Sequence, residues 1–446
     1  MPEFPTTPLV NHFEIEIGGT PSRDKPEYWS TEGSPGHKWM AISDFGPRRI
    51  TETAEQVSES GFRHSNAKRV SEGTLMMSFK LTIGRVAFAG CDLLTNEAIA
   101  AFVPKDGEIV PDFLYHVLPG VALGAISDTA IKGATLNKAK LRKLPIPKPA
   151  PSVQRRIAKI LTTVDNQIEK TEALIAKYQS IKQGLMHDLF TRGVDEHGHL
   201  RPSRDQAPQL YKESELGWIP KEWTLEQASR VCREIVVGIV IQPARHYVNE
   251  GVPALRSANV REDGVVWGDM VFISEASNRL LSKSSLKAGD LVSVRTGYPG
   301  TTAVIPPSLD GCNCVDLIIS RPGPRIRAEY LSLWINSDFG KGQVLQGQGG
   351  LAQQHFNVGE MKELLVAVPT LKEQEVIEER LWSIRRRMRT EIAHLSKLRS
   401  LKLGLMQDLL TGKVPVKPEH SDQDNGITPN GATKAGVKSR GEGIHA

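Results

Sequence analysis

The 446-residue chain holds only four cysteines, Cys91, Cys232, Cys312 and Cys314. That is too few for a disulfide framework and fits a reducing compartment. Cys312 and Cys314 form a lone C-x-C with no second ligand pair nearby, so they read as strand or loop residues rather than a metal site. Long hydrophobic runs are also missing. Stretches such as "IVVGIVI" (Ile235–Ile241) are far too short to span a bilayer. The opening "MPEFPTTPLVNHFEIEIGG" is acidic where a signal peptide would be basic, so the expectation is a cytoplasmic protein with no membrane partner.

Catalytic signatures are absent as well. The sequence has no G-x-x-x-x-G-K-[ST] for nucleotide phosphates, no H-E-x-x-H for zinc and no G-x-S-x-G elbow. An amino-methyltransferase needs an Asn- or Asp-Pro-Pro-aromatic stretch, and "IPPS" (Ile305–Ser308) lacks both flanks. Carboxylates are plentiful, but sequence does not show any two meeting as an acid/base pair. These gaps favour a binding protein over an enzyme. A net charge of +5 and a pI near 8.9 are compatible with a nucleic-acid partner without requiring one.

What the chain does have is a repeat. "IKQGLMHDLFTRGV" (Ile181–Val194) returns as "LKLGLMQDLLTGKV" (Leu401–Val414). Lys182, Gly184, Leu185, Met186, Asp188, Leu189, Thr191 and Val194 all recur unchanged in the second copy. The same offset carries Gln154 onto Gln374, Leu144 onto Leu364 and Pro149 onto Pro369. One unit has been used twice.

Each copy has apolar residues at spacings of three and four. The first runs Ile157, Leu161, Val164, Ile168, Thr171, Ile175, Tyr178, Lys182, Leu185 and Leu189. The second runs Ile377, Leu381, Ile384, Met388, Glu391, Leu395, Leu398, Lys402, Leu405 and Leu409. That rhythm is a coiled-coil seam, and it predicts two helices of about 57 Å at 1.5 Å per residue. Prolines precede each run, and Gly193 and Gly412 stand where the helices should stop. Lys182 and Lys402 share a heptad phase. They either fix register as polar seam residues or lay their stems along the seam with the ammonium groups in water. A single such helix leaves its stripe uncovered, so the two are expected to pack as an antiparallel pair, a ruler between the segments that precede them.

Those segments, about 11–144 and 210–364, are rich in short β-type runs broken by glycine and proline. "GTLMMSFKLTIGRVAFAG" (Gly73–Gly90) and "GDLVSVRTGYPGTTAVIP" (Gly289–Pro306) align without gaps, with Gly84 on Gly300, Leu75 on Leu291 and Ala87 on Ala303. Common scaffold glycines with different surface residues suit two readers of different targets, and also suit drift after duplication. Lys80 and Arg85 flank the first turn and Arg295 the second, with Lys68 and Arg69 upstream. "KGATLNKAKLRK" (Lys132–Lys143) and "GQGGLAQQHFN" (Gly347–Asn357) lie near the ends. From these come the candidate DNA contacts Lys80, Arg85, Lys132, Asn137, Lys138, Arg295, Gln353, Gln354 and His355. Arginine suits guanine, amides suit adenine, and lysine or histidine suits phosphates or base edges. Singly, each also fits a solvated surface position.

In the connecting stretch, His197 and His199 read as loop, and Trp218 and Trp223 of "GWIPKEW" as anchors for the second globular segment. Residues from about 415 are polar and glycine-rich, and are expected to be a disordered tail.

These residues resemble the specificity subunit of Type I restriction–modification enzymes over nearly all of 11–414. The pieces that carry the resemblance are "IGGTPSR", "KWMAISD", "SFKLTIGRVA", "LPIPKPAPSVQRRIAKIL", "GLMHDLFTRGVDEHGHLRPS", "LGWIPKEW", "LKAGDLVSVRTGYPGTTAVI", "GGLAQQHFNVGEMKELLVAVPTLKEQEVI" and "GLMQDLLTGKV", in that order. The resemblance implies an α+β fold with a pseudo-two-fold internal repeat, in which two mixed α/β target-recognition domains are separated by two long antiparallel coiled-coil helices. Residues 1–144 and 196–364 would be the recognition domains, the latter including the linker. Residues 145–195 and 365–414 would be the spacer helices and 415–446 the tail.

The resemblance further implies double-stranded DNA with a split target, two modification subunits, and restriction subunits as partners. S-adenosylmethionine, ATP and magnesium would sit on those partners and no cofactor on this chain. Ile157, Leu161, Ile168, Leu185, Ile377, Leu381, Met388 and Leu405 are the candidate spacer and subunit-docking positions. The second half has "VVGIVIQP" (Val236–Pro243) where the first has "IGGTPSR", so the halves should read different sequences. The rival readings are a two-headed adaptor whose domains bind proteins, and an enzyme whose site has no recognisable motif.

Overall fold

The computed structural model describes residues 4–31, 34–127, 136–346 and 355–417. The chain divides into two units, residues 1–169 with 397–446, and residues 170–396. The expected tail lies outside the described residues from 418 onward.

The first unit is built on a five-stranded sheet in the spatial order Phe13–Ile17, Ile99–Pro104, Leu75–Ser78, Val86–Ala89, Arg49–Ile50. Neighbours are antiparallel except the last pair, which is parallel. Its central strands are apolar on both faces because both faces are covered. Leu75, Met77, Phe88 and Phe102 pack with Phe113 and Leu118 of the helix Pro111–Ser127 and with Ile157 and Leu161. On the other face, Met76, Ala87, Ile99 and Ala101 meet Met40, Ile50 and Leu93. A four-stranded sheet, in the order Glu55–Val57, His37–Met40, Leu93–Thr95, Lys68–Val70, completes the unit.

The second unit repeats this plan. Its main sheet runs Cys232–Val237, Leu317–Pro322, Leu291–Val294, Thr302–Val304, and its smaller sheet runs Tyr247–Val248, Val271–Ile273, Val252–Leu255, Asn313–Cys314. The parallel pairing of His37–Met40 with Leu93–Thr95 recurs between Val252–Leu255 and Asn313–Cys314. The globular parts are therefore copies in topology, as their glycine frames suggested.

The two seams form long helices, Pro151–Thr191 of 41 residues and Leu371–Leu409 of 39. Beyond each, a glycine takes a left-handed conformation, Gly193 at φ 62° and Gly412 at φ 78°. In the first unit the start of one helix lies with the end of the other, Ile157 and Leu161 in one cluster with Leu405 and Leu409. In the second unit the ends exchange, and Leu185 and Leu189 share a cluster with Ile377 and Leu381. Within each unit the helices run antiparallel. The fold is α+β.

The seam lysines do more than reach water. Lys402 Nζ lies 2.6 Å from Asp165 Oδ1 on the facing helix. Lys182, 20% exposed at its side chain, has Glu262 Oε2 at 3.9 Å, and burial and the nearby Arg385 guanidinium lower its pKa. Trp223 is fully buried and donates from Nε1 to Glu373 Oε2 at 3.1 Å, an anchor as expected. Trp218 is not one. It is 36% exposed, with the Arg204 guanidinium 3.9 Å above its ring.

Candidate nucleic-acid interface

The turn joining Leu75–Ser78 to Val86–Ala89 carries Lys80 and Arg85. It closes through two backbone bonds, Gly84 N–H to Ser78 O and Ser78 N–H to Arg85 O, both 2.9 Å. Gly84 at φ 87° makes the bend, and a Cβ there would meet Pro119 and Leu123 only at ordinary contact distance. Its requirement is therefore conformational rather than spatial. Ser78, fully buried, accepts the Arg85 N–H on its hydroxyl at 3.2 Å. Both cationic side chains stand exposed on this frame. Lys80 Nζ lies 5.6 Å from the Phe79 ring. The Thr20 hydroxyl, assisted by nearby Lys80 and Arg23, holds the Glu97 carboxyl below its usual range.

At the tip of this turn Leu81 sits at φ 59° and is 91% exposed. A left-handed backbone costs a leucine about 1–2 kcal/mol, and an exposed side chain returns no packing.

The equivalent turn of the second unit closes identically, Gly300 N–H to Val294 O and Val294 N–H to Thr301 O, both 2.9 Å. Here Arg295 and His355, far apart in sequence, come together. Arg295 donates to His355 Nε2 at 2.5 Å, to the Phe356 carbonyl at 3.4 Å and to Asp316 Oδ1. The histidine contact requires Nε2 to be the unprotonated nitrogen. The Phe356 N–H returns a bond to Arg295 O at 2.9 Å. With 15% of its side chain exposed, Arg295 is a partly neutralised cation that organises the loop end. Tyr298, 83% exposed, projects from the same turn. Nothing in the local sequence around Arg295 points to Asp316 as its counter-charge.

Asn137 caps the helix Lys138–Arg142, its side-chain oxygen accepting the Lys140 N–H at 2.9 Å. Its repeat partner Asn357 caps Val358–Glu363 in the same way at 3.0 Å, with Glu360 reaching back at 2.8 Å. The Asn137 oxygen is thus committed to the fold, leaving the amide N–H groups free of that role, while Lys138 is exposed beside it. Lys132, Gln353 and Gln354 lie outside the described residues.

Of the helix candidates, Ile157, Leu161, Ile377 and Leu381 are fully buried inside their own units, whereas Ile168, Leu185, Met388 and Leu405 are partly buried. The same helices also carry exposed apolar residues, such as Trp382 (48% exposed) and Leu403 (70% exposed).

The buried cysteines carry no reactive character. Burial pushes the Cys232 and Cys312 thiols up to about 12, and that of Cys314 higher still. Among the described residues no group of three or more His, Cys, Asp or Glu is arranged to hold a metal ion. Among them also, no helix is long and apolar enough to cross a membrane.

Residues 13–178 match the family model described as the Type I restriction modification DNA specificity domain. The chain is 25% identical over 302 residues to the Type I restriction enzyme MjaVIII specificity subunit of Methanocaldococcus jannaschii, which covers 63% of this chain and 65% of that one. It is 22% identical over 303 residues to the EcoBI specificity subunit of Escherichia coli, covering 65% of this chain and 61% of the relative. The matches thus span less than two thirds of either relative's length.

Its fold is similar to the crystal structure of a Type I restriction–modification S subunit from M. genitalium, with a TM-score of 0.57 at 14% identity over 91% of this chain and 95% of the other. A second similar fold belongs to a structure of complex assembly and conformational transition in a Type I R-M system, with a TM-score of 0.53 at 15% identity over 93% and 99%. The sequence resemblance is matched in family model, relatives and fold. The chain is similar to the specificity subunits of Type I restriction–modification enzymes, and residues 13–178 match the model of the DNA specificity domain.

Proposed function

We propose that this chain is the non-catalytic, DNA-reading subunit of a Type I restriction–modification complex. Its two globular parts, within 1–144 and 196–364, each take one portion of a split duplex target. The helical stretches 145–195 and 365–414 carry the docking of two modification subunits and of restriction subunits. Methyl donor, ATP and magnesium belong to those partners, so the chain's own residues have only to bind, orient and assemble.

The observation that carries this reading is the repeated turn frame. Two turns with the same backbone bonds present different side chains, Lys80, Leu81 and Arg85 in one and Arg295 and Tyr298 in the other. A shared frame with different surfaces is what two readers of unlike sequences need.

Docking is tested by co-expressing the chain with its modification subunit. Trp382→Glu combined with Leu403→Glu should abolish co-purification while leaving the melting temperature of the isolated chain unchanged. Intact co-purification would contradict the assignment of docking to the helices' outer faces. Recognition is tested by duplex binding of the assembled complex, which should weaken steeply with salt.

A further inference from the structure

The two turns share their closure but not their tips. Leu81 aligns with Gly297, and both positions are left-handed, at φ 59° and φ 90°. Glycine satisfies that backbone without strain, and the second unit uses it. The first unit keeps a leucine there whose side chain is almost wholly in water. In the second unit the glycine takes the left-handed position and the next residue, Tyr298, is the large exposed side chain at 83%. Each frame therefore gives its outermost position to one apolar or aromatic group that packs against little in its own unit.

The surroundings of the first tip are cationic. Lys80 and Arg85 stand exposed on either side of Leu81, whereas Arg295, three residues before Tyr298, is mostly buried and paired with Asp316. An isolated apolar tip between cations suits a polyanion with apolar features set between its charges. Duplex DNA has that pattern, with phosphates along the rims and thymine methyls and base edges within the grooves.

We propose that Leu81 and Tyr298 are the base-contacting tips of the two units. Leu81 meets an apolar base feature and Tyr298 sets its ring against base edges in a groove, while Lys80 and Arg85 engage phosphates. This rests on the DNA-reading function proposed above. It assigns sequence discrimination to two residues that carry no charge and no specific hydrogen-bond code.

The test uses the complex assembled with its modification subunits and carrying Leu81→Gly or Tyr298→Ala. Target and non-target duplex affinities are measured across a salt series, and methylated adenines are mapped in cells expressing each variant. Leu81→Gly relieves backbone strain, so its melting temperature should hold or rise. The preference for target over non-target duplex should fall roughly tenfold. The salt slope should not change, and the methylated motif should loosen in one half only. Tyr298→Ala should loosen the other half. A preference within about twofold of the parent for both variants overturns the proposal, as does equal weakening on target and non-target duplex. A parent complex with no target preference would instead overturn the DNA-reading function, and this inference with it.

Discussion

The side-chain amide of Gln154 donates to the carbonyl of Pro149 at 2.8 Å, and its repeat partner Gln374 does the same to Pro369 at 3.0 Å. Both glutamines are fully buried. Each also accepts a backbone N–H on its Oε1, from Val110 or Arg327, and donates to a second carbonyl, of Glu108 or Arg325. One side chain thus ties the start of a long helix to the preceding proline and to a neighbouring loop, in both units. Gln154→Leu or Gln374→Leu strands these groups, and each stranded group costs about 1–3 kcal/mol. Urea unfolding should show both variants strongly destabilised. Unfolding midpoints equal to the parent's would contradict this role.

Glu373 and Arg201 form a buried pair at 2.5 Å, with side-chain exposures of 8% and 9%. Glu373 also accepts the Val194 N–H and the Trp223 Nε1–H. Glu373→Ala leaves the guanidinium largely buried, with the exposed Glu222 carboxylate and the Arg192 carbonyl as its remaining partners, and should cost about 3–5 kcal/mol. A melting temperature matching that of the unmutated chain would rule this out.

His116 should make stability depend on pH. Burial, followed by the nearby Arg48 and Lys402 charges, lowers its pKa to about 3. An unfolded histidine binds its proton near pH 6.5, so between the two values the unfolded chain holds more protons and stability falls as pH falls. The contribution is fully present above about pH 6.5 and is lost toward pH 3. His116→Gln can keep a bond to the Thr162 hydroxyl, now 3.2 Å from His116 Nε2, and should flatten the unfolding midpoint between pH 7 and pH 4. Parallel pH profiles for parent and variant would contradict this.

Lys80 and Arg295 should differ on DNA although both are cations beside equivalent turns. Lys80 is exposed, and Lys80→Ala should lower the salt slope of duplex binding by about 0.9. Arg295 is already paired with Asp316, so Arg295→Ala should weaken binding mainly by disordering the loop end, with a smaller change in slope. Equal slope changes for the two variants would contradict the pairing.

The helices, their glycine stops and the doubled scaffold were legible because heptad spacing and a fixed offset are local signals. Sheet order was not, since the parallel pairing of His37–Met40 with Leu93–Thr95 joins segments far apart in sequence. Lys182 and Lys402 read as equals from heptad phase. The fold gives Lys402 the carboxylate of Asp165, while the matching helix position beside Lys182 holds Arg385, and Glu262 comes in from another segment. Arg295 and His355 each stand out by residue type, yet their contact and Asp316 depend on tertiary closure. Leu81 and Tyr298 carry neither a charge nor an amide, so residue type alone does not mark them, although the gap-free alignment of the two turns already sets Leu81 against a glycine.

The most direct measurement is single-molecule sequencing of genomic DNA from cells that co-express this chain with its modification subunit. The expected result is methylated adenine in a two-part motif interrupted by a fixed run of unspecified bases. A single uninterrupted motif, or methylation that does not depend on this chain, would contradict the account.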